Sequence, residues 1–597
     1  MFVSRTLRHW VLRTLCSGVF FAGGFGCGCS QAGDTSASGA GLRSTAGRVK
    51  LRLLAFNDFH GRLSAERSTV SGKLAGGAVA LASQLRAAQR ATSAATFIVH
   101  AGDMIGASPA ISALLQDEPT VEFFNLLGNE HCRAAAGDTS GDRDRCNLIA
   151  ALGNHEFDEG IAELLRLIRG GEHAHGPFLQ HAFRGAGFPL ICANVVWEQG
   201  GQPLLPASVV RDVEGVTVAF VGVVTRTTPQ LVMPEAVAGL RFEDEALAVN
   251  REVKRLRRRG VEAIVVVMHE GAEQPPYAGP TRADVQPPAA KLAHLVAQFD
   301  GAVDVVISGH AHAFTNALLP NAAGHKVLVT QAWAAGKAYA DINVQLDRRT
   351  GDVVQASAQI VPVQQGADHN VDRATRRAGD DEPSVHAVAS LVRQAQTAVQ
   401  AVVSAPVATL ATALPVEPNR DGESLLGDVV ADAQRAALGA DVALMNDGGL
   451  RADLAPGSLT WGDLFTVQPF NNQVLRLTLS GAQLRETLEQ QWPEHGRSHG
   501  LQVSGLRYRW DGRAPHGARV VALELNDGSP ILPEQRYTVA VNSFLATGAN
   551  GFTALSAASE RVVGPSDMEA LLQYLRTAPQ PLTVRFEQRI VRIDGHQ

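Results

Sequence analysis

The sequence predicts an α/β protein of at least two domains, and three observations carry that prediction. The chain has 597 residues. A domain built around a single hydrophobic core usually has roughly 100–200 residues, so a chain of this length is expected to form two or more domains. Its 45% hydrophobic and 19% charged residues are typical of a globular protein. Between residues 49 and 345, short aliphatic runs alternate with helical stretches such as 77–89 and 243–259, which is the pattern of an α/β domain.

The first residues differ in composition from the rest of the chain. Three arginines precede a short apolar run at 15–26, which Cys27 and Cys29 follow. This order predicts an export signal at 1–29 and a flexible spacer at 30–47. Either cysteine could carry a lipid anchor, and release after cleavage is the equal alternative. We therefore expect an exported protein, periplasmic or associated with the cell envelope, whose membrane contact would be that anchor alone.

The net charge limits the expected partners, and the spacing of the remaining cysteines indicates how they are used. With a formal charge of -6 and no dense basic stripe, a nucleic-acid polymer is not an expected partner. Cys132 and Cys146 flank a polar loop, which in an oxidising compartment predicts a disulfide, two unrelated thiols being the alternative. Cys192 lies in the apolar run 188–194 and is expected to be a buried strand residue.

Polar side chains follow five apolar runs in the first half. The runs are 50–56, 96–100, 148–152, 263–268 and 303–307. Because ligands collect beyond the carboxyl ends of strands in such sheets, we expect the side chains at these ends to meet. These candidate metal-binding residues are Asp58, His60, Asp103, Asn154, His269, His310 and His312. Oxygen and imidazole donors without a thiolate suit two divalent cations (Zn, Mn or Co) that share one carboxylate, and Asp103 is the natural bridge.

The loop 151–158 adds a candidate for proton transfer. Asn154 offers a carbonyl oxygen to a cation, while His155 can donate a proton if Asp158 fixes its ring. By contrast, the His-Ala-His tripeptide at 173–175 lies in a polar loop with no apolar strand before it. We therefore predict that His155 and Asp158 are the catalytic pair.

These motifs resemble those of a known family. Asp-x-His-Gly, Gly-Asp, Gly-Asn-His-Glu-x-x-Asp, His-Glu-Gly and Gly-His-x-His, in this order, are similar to the motifs of calcineurin-type metallophosphoesterases. In particular, the chain resembles the two-domain 5'-nucleotidases, which include bacterial UDP-sugar hydrolases, and the resemblance extends over roughly 49–590. It implies a four-layer sandwich with two mixed sheets between helices. It also implies one metal held by Asp58, His60, Asp103 and His312, and another held by Asp103, Asn154, His269 and His310.

A polar, charged stretch at 364–384 is interpreted as a linker. A helix should follow, because Asp381 can cap it and Pro383 lies in its first turn. Its apolar face comprises Val385, Val388, Val392, Ala395, Val399 and Val402. We expect this helix to tie two domains together.

The pattern beyond residue 406 predicts a second α/β domain. Helices are expected at 424–438 and 480–491, and strands at 441–445, 501–510, 520–525 and 537–541, with a turn at 526–528 between the last two. The expected domains are a metallophosphoesterase domain at 48–363, a linker with interdomain helix at 364–403, and a C-terminal substrate-binding domain at 404–592.

Three loops of the second half carry candidate substrate contacts. A Gly-rich loop runs from Asn446 to Arg451, so backbone amides and a guanidinium can meet an oxyanion. Phe470 and Phe544 lie beside Gly-rich or Asn-rich backbone; they could stack a flat base or belong to the core, and the residues alone leave these alternatives nearly even. The resemblance favours stacking, because all four residues fall on the family's substrate-recognition motifs.

Two positions depart from the family pattern. Asn550 stands where the family usually has an Asp that resembles a ribose-hydroxyl acceptor, and an amide can donate as well as accept. Asp428 stands where Leu-Gly-Asn is common. Arg420 is a further candidate for phosphate binding.

Together, these residues predict an exported dimetal phosphohydrolase that acts on nucleoside 5'-monophosphates and, by resemblance, on UDP-sugars. The alternative is a sibling hydrolase on the same scaffold: a 2',3'-cyclic nucleotide phosphodiesterase, a sugar-phosphate phosphatase or a thiosulfate-ester hydrolase. An alternative of another class is a non-catalytic nucleotide-binding envelope protein. Its signature would be erosion of the ligand set, and all nine predicted metal-binding and catalytic residues are present.

Overall fold

The computed structural model describes residues 47–67, 74–133, 144–363, 383–470, 472–494 and 498–594. The predicted export signal, the spacer up to residue 46, the linker at 364–382 and the Asp381 cap lie outside the described residues. Within the described part of the chain, no helix combines the length and the apolarity needed to cross a membrane.

Two six-stranded mixed sheets form the centre of the first half. In spatial order, the first sheet consists of the strands Val353–Pro362, Ala338–Asp347, Arg48–Phe56, Ala95–Ala101, Leu148–Ala151 and Leu190–Ile191. The second consists of Phe314–Pro320, Lys326–Ala332, Val303–Ser308, Ala263–His269, Val216–Val224 and Ser208–Val213. The five strands predicted in this half are all present, and within each sheet they run parallel to one another. Their carboxyl ends therefore share an edge in each sheet.

Helices cover the outer faces of both sheets. Leu53, Val99 and Val267 belong to the apolar layer between the sheets. The outer face of the first sheet packs against the helices Ala78–Arg90, Glu118–Leu127 and Pro383–Val403. The outer face of the second sheet packs against Glu245–Arg257 and Ala290–Val296. The predicted four-layer sandwich is confirmed. The described part of this half also contains the helices Ala110–Ala113, Gly160–Arg169 and Thr228–Leu231.

The second half is built on a five-stranded mixed sheet with apolar clusters on both faces. Its strands, in spatial order, are Leu501–Ser504, Val442–Asn446, Arg536–Asn542, Gln473–Ser480 and Ser559–Ser566. Its helices are Leu425–Leu438, Trp461–Val467, Gly481–Glu489, Ser543–Ala546, Thr553–Ser556 and Asp567–Thr577. A smaller sheet contains Val520–Leu525, Leu506–Trp510 and Ile590–Arg592.

Two details of this half differ from the prediction. The expected strand at 501–510 is two strands in two different sheets, because Gly505 between them has a left-handed backbone with φ 80°. The turn at 526–528 does form, since Gly528 N–H donates to Leu525 O. However, it does not pair the two predicted strands, which belong to different sheets; it folds the end of Val520–Leu525 back onto the residues just after the turn, through an antiparallel bridge between Glu524 and Pro530.

The predicted interdomain helix is present as Pro383–Val403. All the predicted apolar positions are buried except Val402, which is exposed. The helix packs against helices of the first half and against Trp461–Val467 of the second half. The predicted disulfide between Cys132 and Cys146 is confirmed. Cys192 is a buried free thiol that lies just beyond the strand Leu190–Ile191.

Candidate active site

The strand ends bring the predicted metal-binding side chains together in two groups that share one carboxylate. The first group contains Asp58, His60, Asp103 and His312, whose ligand atoms all lie within 4.8 Å of one another. His60 Nε2 is 3.0 Å from His312 Nε2 and 3.7 Å from Asp103 Oδ2. His312 Nε2 is 3.3 Å from Asp58 Oδ1. Such a cluster of oxygen and imidazole donors can surround one cation.

Asp103 also belongs to a second group, with His269 and His310. Its Oδ2 atom lies 3.0 Å from His269 Nε2. Asn154 Oδ1 lies 3.2 Å from His269 Nε2 and 3.0 Å from His310 Nδ1. The donor set therefore fits a dinuclear centre of divalent cations in which Asp103 is shared.

Backbone carbonyls orient two of the imidazole rings. His60 Nδ1 lies 2.9 Å from Gly106 O, and His269 Nδ1 lies 2.8 Å from Ala101 O. Each Nδ1 therefore carries the hydrogen and donates it, which leaves the Nε2 lone pair directed at the ligand group. Burial lowers the pKa of His60, so this ring is neutral. Burial opposes ionisation of Asp58, but His312 and His269 together outweigh it and lower the pKa of Asp58 below its usual range.

The backbone at these positions is unusual. Five of the predicted ligands have a left-handed backbone with φ between 49° and 71°: Asp58, His60, Asp103, His310 and His312. This region is disfavoured for residues with a Cβ, and surrounding contacts must hold it. Close approach also explains the Gly-Asn motif, because a Cβ at Gly153 would collide with the Asp103 carboxylate.

Glu156 supports one of these positions, that of Asp103, and the sequence reasoning missed it. Its buried carboxylate accepts hydrogen bonds from the backbone N–H groups of Gly153, Asp103, Met104 and Ile105. Burial, together with the charge of Asp103, raises the pKa of Glu156 to about 7. The signal in the sequence was its place in Gly-Asn-His-Glu, where a carboxylate three residues after a glycine can reach back to backbone amides.

The predicted catalytic pair lies beside the first ligand group. His155 Nδ1 is 2.7 Å from Asp158 Oδ2, and the His155 ring centroid is 5.1 Å from that of His60. His155 backbone N–H donates to Asp103 Oδ1 at 2.9 Å. Burial would lower the pKa of His155, but the carboxylates of Asp158 and Asp103 raise it above its ordinary value. The ring is thus oriented and able to hold a proton.

One cavity of about 460 Å³ connects this region with the second half. Five of the predicted substrate residues line it: Asn446, Arg451, Phe470, Phe544 and Asn550. Both phenyl rings are half-buried and outside the apolar cores of the described residues. Phe470 stacks on the His155 ring, with centroids 5.8 Å apart and planes at 19°.

Arg420 is the one predicted substrate residue that the structure does not bring to this cavity. Its side chain is exposed, and the residue is not part of the cavity wall. Arg451, in contrast, lies in the wall with its Cζ atom 5.9 Å from the Phe470 ring centroid. Of these two guanidinium groups, that of Arg451 is therefore the one that lies in the cavity wall.

Comparison with known families agrees with this geometry. Residues 51–314 match the calcineurin-like phosphoesterase model, and residues 400–557 match the 5'-nucleotidase C-terminal domain model. Fold and site together define a metal-dependent phosphoester hydrolase.

The relatives specify the family. The chain is 35% identical over 573 residues to endonuclease YhcR of Bacillus subtilis, a match that covers 94% of this chain but 42% of that longer protein. It is 31% identical over 577 residues to the cell wall protein Lmo0130 of Listeria monocytogenes, covering 90% of this chain and 68% of Lmo0130. A 5'-nucleotidase precursor from Thermus thermophilus has the same fold, with a TM-score of 0.72, 26% identity, and coverage of 92% of this chain and 100% of that one. This chain belongs to the two-domain 5'-nucleotidase family of calcineurin-like metallophosphoesterases.

Proposed function

We propose that this protein is an exported dimetal phosphohydrolase that removes phosphate from nucleoside 5'-monophosphates. The observation that carries the proposal is the shared cavity, which is lined by Asp103, His155 and Arg451 together with Phe470 and Phe544. A small molecule with a phosphate at one end and a flat base at the other has a matching group for each part in this wall. The similarity to a 5'-nucleotidase precursor supports the same substrate class.

Each group of residues has a proposed role. The seven strand-end side chains would hold two divalent cations (Zn, Mn or Co), which when bound would supply positive charge at the phosphoryl oxygens and lower the pKa of water. Arg451 orients the phosphate. His155 protonates the leaving ribose oxygen, and Asp158 holds its ring. Phe470 and Phe544 stack the base, at ~1–3 kcal/mol per face by analogy with single-stranded nucleic acids.

A substrate panel with the purified, metal-reconstituted chain tests this function. We expect kcat/KM for AMP to exceed that for UDP-glucose, a 2',3'-cyclic nucleotide and a thiosulfonate conjugate. His155→Ala should lower kcat for AMP by about 10²–10⁴-fold with an unchanged metal content, because it removes the proton donor but no ligand. The matched control is His175→Ala, an exposed histidine outside the cavity wall, which should leave kcat unchanged. A better kcat/KM for one of the other substrates, or full activity of His155→Ala, would contradict the proposal.

The export part of the proposal has separate support. The disulfide between Cys132 and Cys146 is of the kind that persists in oxidising compartments, and the similar protein Lmo0130 is named a cell wall protein. Cell fractionation should therefore recover this protein in the envelope or periplasmic fraction. Recovery in the cytoplasm alone would contradict export.

A further inference from the structure

Asn472 is a cavity residue that the sequence analysis did not single out. It lies two residues beyond Phe470 and immediately before the strand Gln473–Ser480. That strand is flanked on both sides by neighbours in the five-stranded sheet. Because both neighbours run antiparallel to it, the residues that follow those two strands lie beside Asn472 and can position its side chain.

On one side, the sheet register brings Asp567 to Asn472. Gln473 pairs with Ser566, so the residues just beyond this pair face each other. Asp567 backbone N–H donates to Asn472 O at 2.8 Å. In return, the side-chain amide of Asn472 donates to Asp567 Oδ2 at 3.3 Å. These two bonds continue the ladder past the end of the strands.

On the other side, Ser543 follows the strand Arg536–Asn542. Its hydroxyl donates to Asn472 Oδ1 at 3.2 Å. The carbonyl oxygen and one amide hydrogen of Asn472 are thus engaged. The second amide hydrogen has no acceptor among the residues that the structure describes, although the residue lines the cavity. An acceptor on a bound ligand would satisfy it.

The two carboxylate oxygens of Asp567 have different partners: Oδ1 accepts the Met568 backbone N–H of its own helix at 2.8 Å, and Oδ2 accepts the Asn472 amide. Ser566 is the N-cap of Asp567–Thr577 and forms a complete capping box with Glu569. Asp567 is 1% exposed, and burial raises its pKa to about 7, while the hydrogen bond from Asn472 opposes that shift. Burying a carboxylate is costly. The contact of its second oxygen with a cavity residue links this buried carboxylate to the site.

We propose that Asp567 is a positioning residue that fixes the Asn472 amide, so that the remaining N–H is presented to a hydrogen-bond acceptor on the base of the substrate. This inference rests on the proposed function, because it requires a nucleotide in the cavity. It adds a determinant of base specificity. The Asn472 amide would donate a hydrogen bond to a ring nitrogen or carbonyl oxygen at the edge of the base, and Asp567, which is not in the cavity wall, would orient that amide.

The test compares two substrates, AMP and ribose 5-phosphate, at about pH 8, where Asp567 is ionised. Asp567→Ala should raise KM for AMP about fivefold with kcat nearly unchanged, because one orienting hydrogen bond is lost. Activity on ribose 5-phosphate, which has no base, should not change. Asp567→Asn keeps an acceptor oxygen and should restore most of the AMP affinity. Ser543→Ala removes the other hydrogen bond that holds the Asn472 side chain. It should therefore also raise KM for AMP without changing the activity on ribose 5-phosphate.

Equal effects of Asp567→Ala on AMP and ribose 5-phosphate would overturn the inference, since they would indicate a general structural role. An unchanged KM for AMP in both Asp567→Ala and Ser543→Ala would also overturn it. Failure of the unmutated enzyme to hydrolyse AMP is a different result, and it would remove the proposed function itself.

Discussion

Asn550 lies in the cavity wall with a left-handed backbone, φ 55°, in the position where the family usually has an aspartate. Asparagine tolerates this backbone region well, so the loop can keep its shape without the carboxylate. What changes is the chemistry, because a neutral amide accepts a weaker hydrogen bond than a carboxylate does. A sugar hydroxyl near Asn550 should therefore be bound less strongly than in relatives with aspartate.

Restoring the carboxylate should increase selectivity for ribose. We expect Asn550→Asp to raise the ratio of kcat/KM for AMP to that for 2',3'-dideoxy-AMP by about five- to tenfold, since hydrogen bonds to charged groups are stronger than neutral ones. Steady-state kinetics on both substrates give the ratio directly, with Asn550→Ala as the control that should lower it. An Asn550→Asp ratio equal to that of the unmutated protein would show that this side chain does not contact the sugar.

At the scale of elements, the helix Leu425–Leu438 contains a buried carboxyl group, that of Asp428. Asp428 is the second of the two residues that depart from the family pattern. Asp428 is 1% exposed. Burial raises the pKa of its carboxyl to about 8, with nearby Glu423 and Asp432 adding to the shift and Arg589 opposing it. In an unfolded chain an aspartate titrates at about 3.9. The folded state therefore holds the proton to higher pH, and this residue makes the fold progressively less stable as pH rises from about 4 towards 8.

Asp428→Asn should remove that penalty. We expect the free energy of unfolding near pH 7.5 to rise by about 1–2 kcal/mol, and to change little near pH 4. Arg589 keeps its two bonds to Asp432, at 2.8 and 2.9 Å, so no cation is left unpaired. Asp432→Asn is the matched control and should destabilise the protein. Denaturant unfolding at both pH values measures the difference, and a loss of stability in Asp428→Asn at pH 7.5 would refute the explanation.

Some of these secondary-structure elements could be predicted from the sequence, whereas contacts between distant elements could not. The strands that position Asp58, Asp103 and His269 could be predicted, because apolar runs that end in polar residues carry their own signal. The contact between Asn472 and Asp567 could not, because residues 95 positions apart in the chain meet only through sheet register. Nor could the sequence tell that Arg420 is exposed and outside the cavity wall, because its neighbours in sequence do not determine on which side of a loop it lies; its role in phosphate binding stays a prediction.

At the scale of the whole molecule, the two halves meet where their functional residues are. The Phe470 ring of the second half stacks on the His155 ring of the first, and the cavity has walls from both halves. The candidate substrate-binding residues and the candidate metal centre are therefore parts of one site, although they come from distant segments. Everything proposed for that site depends on the strand ends of the first half holding two cations.

Metal analysis of the purified chain and of its Asp103→Ala variant, after reconstitution with a divalent metal and removal of the excess, tests that dependence most directly. Asp103 is shared by both ligand groups, so its loss should affect both ions. We predict two metal ions per chain for the unmutated protein and His175→Ala, and fewer than one for Asp103→Ala. Two ions retained by Asp103→Ala, or fewer than two bound by the unmutated chain, would contradict the dinuclear centre.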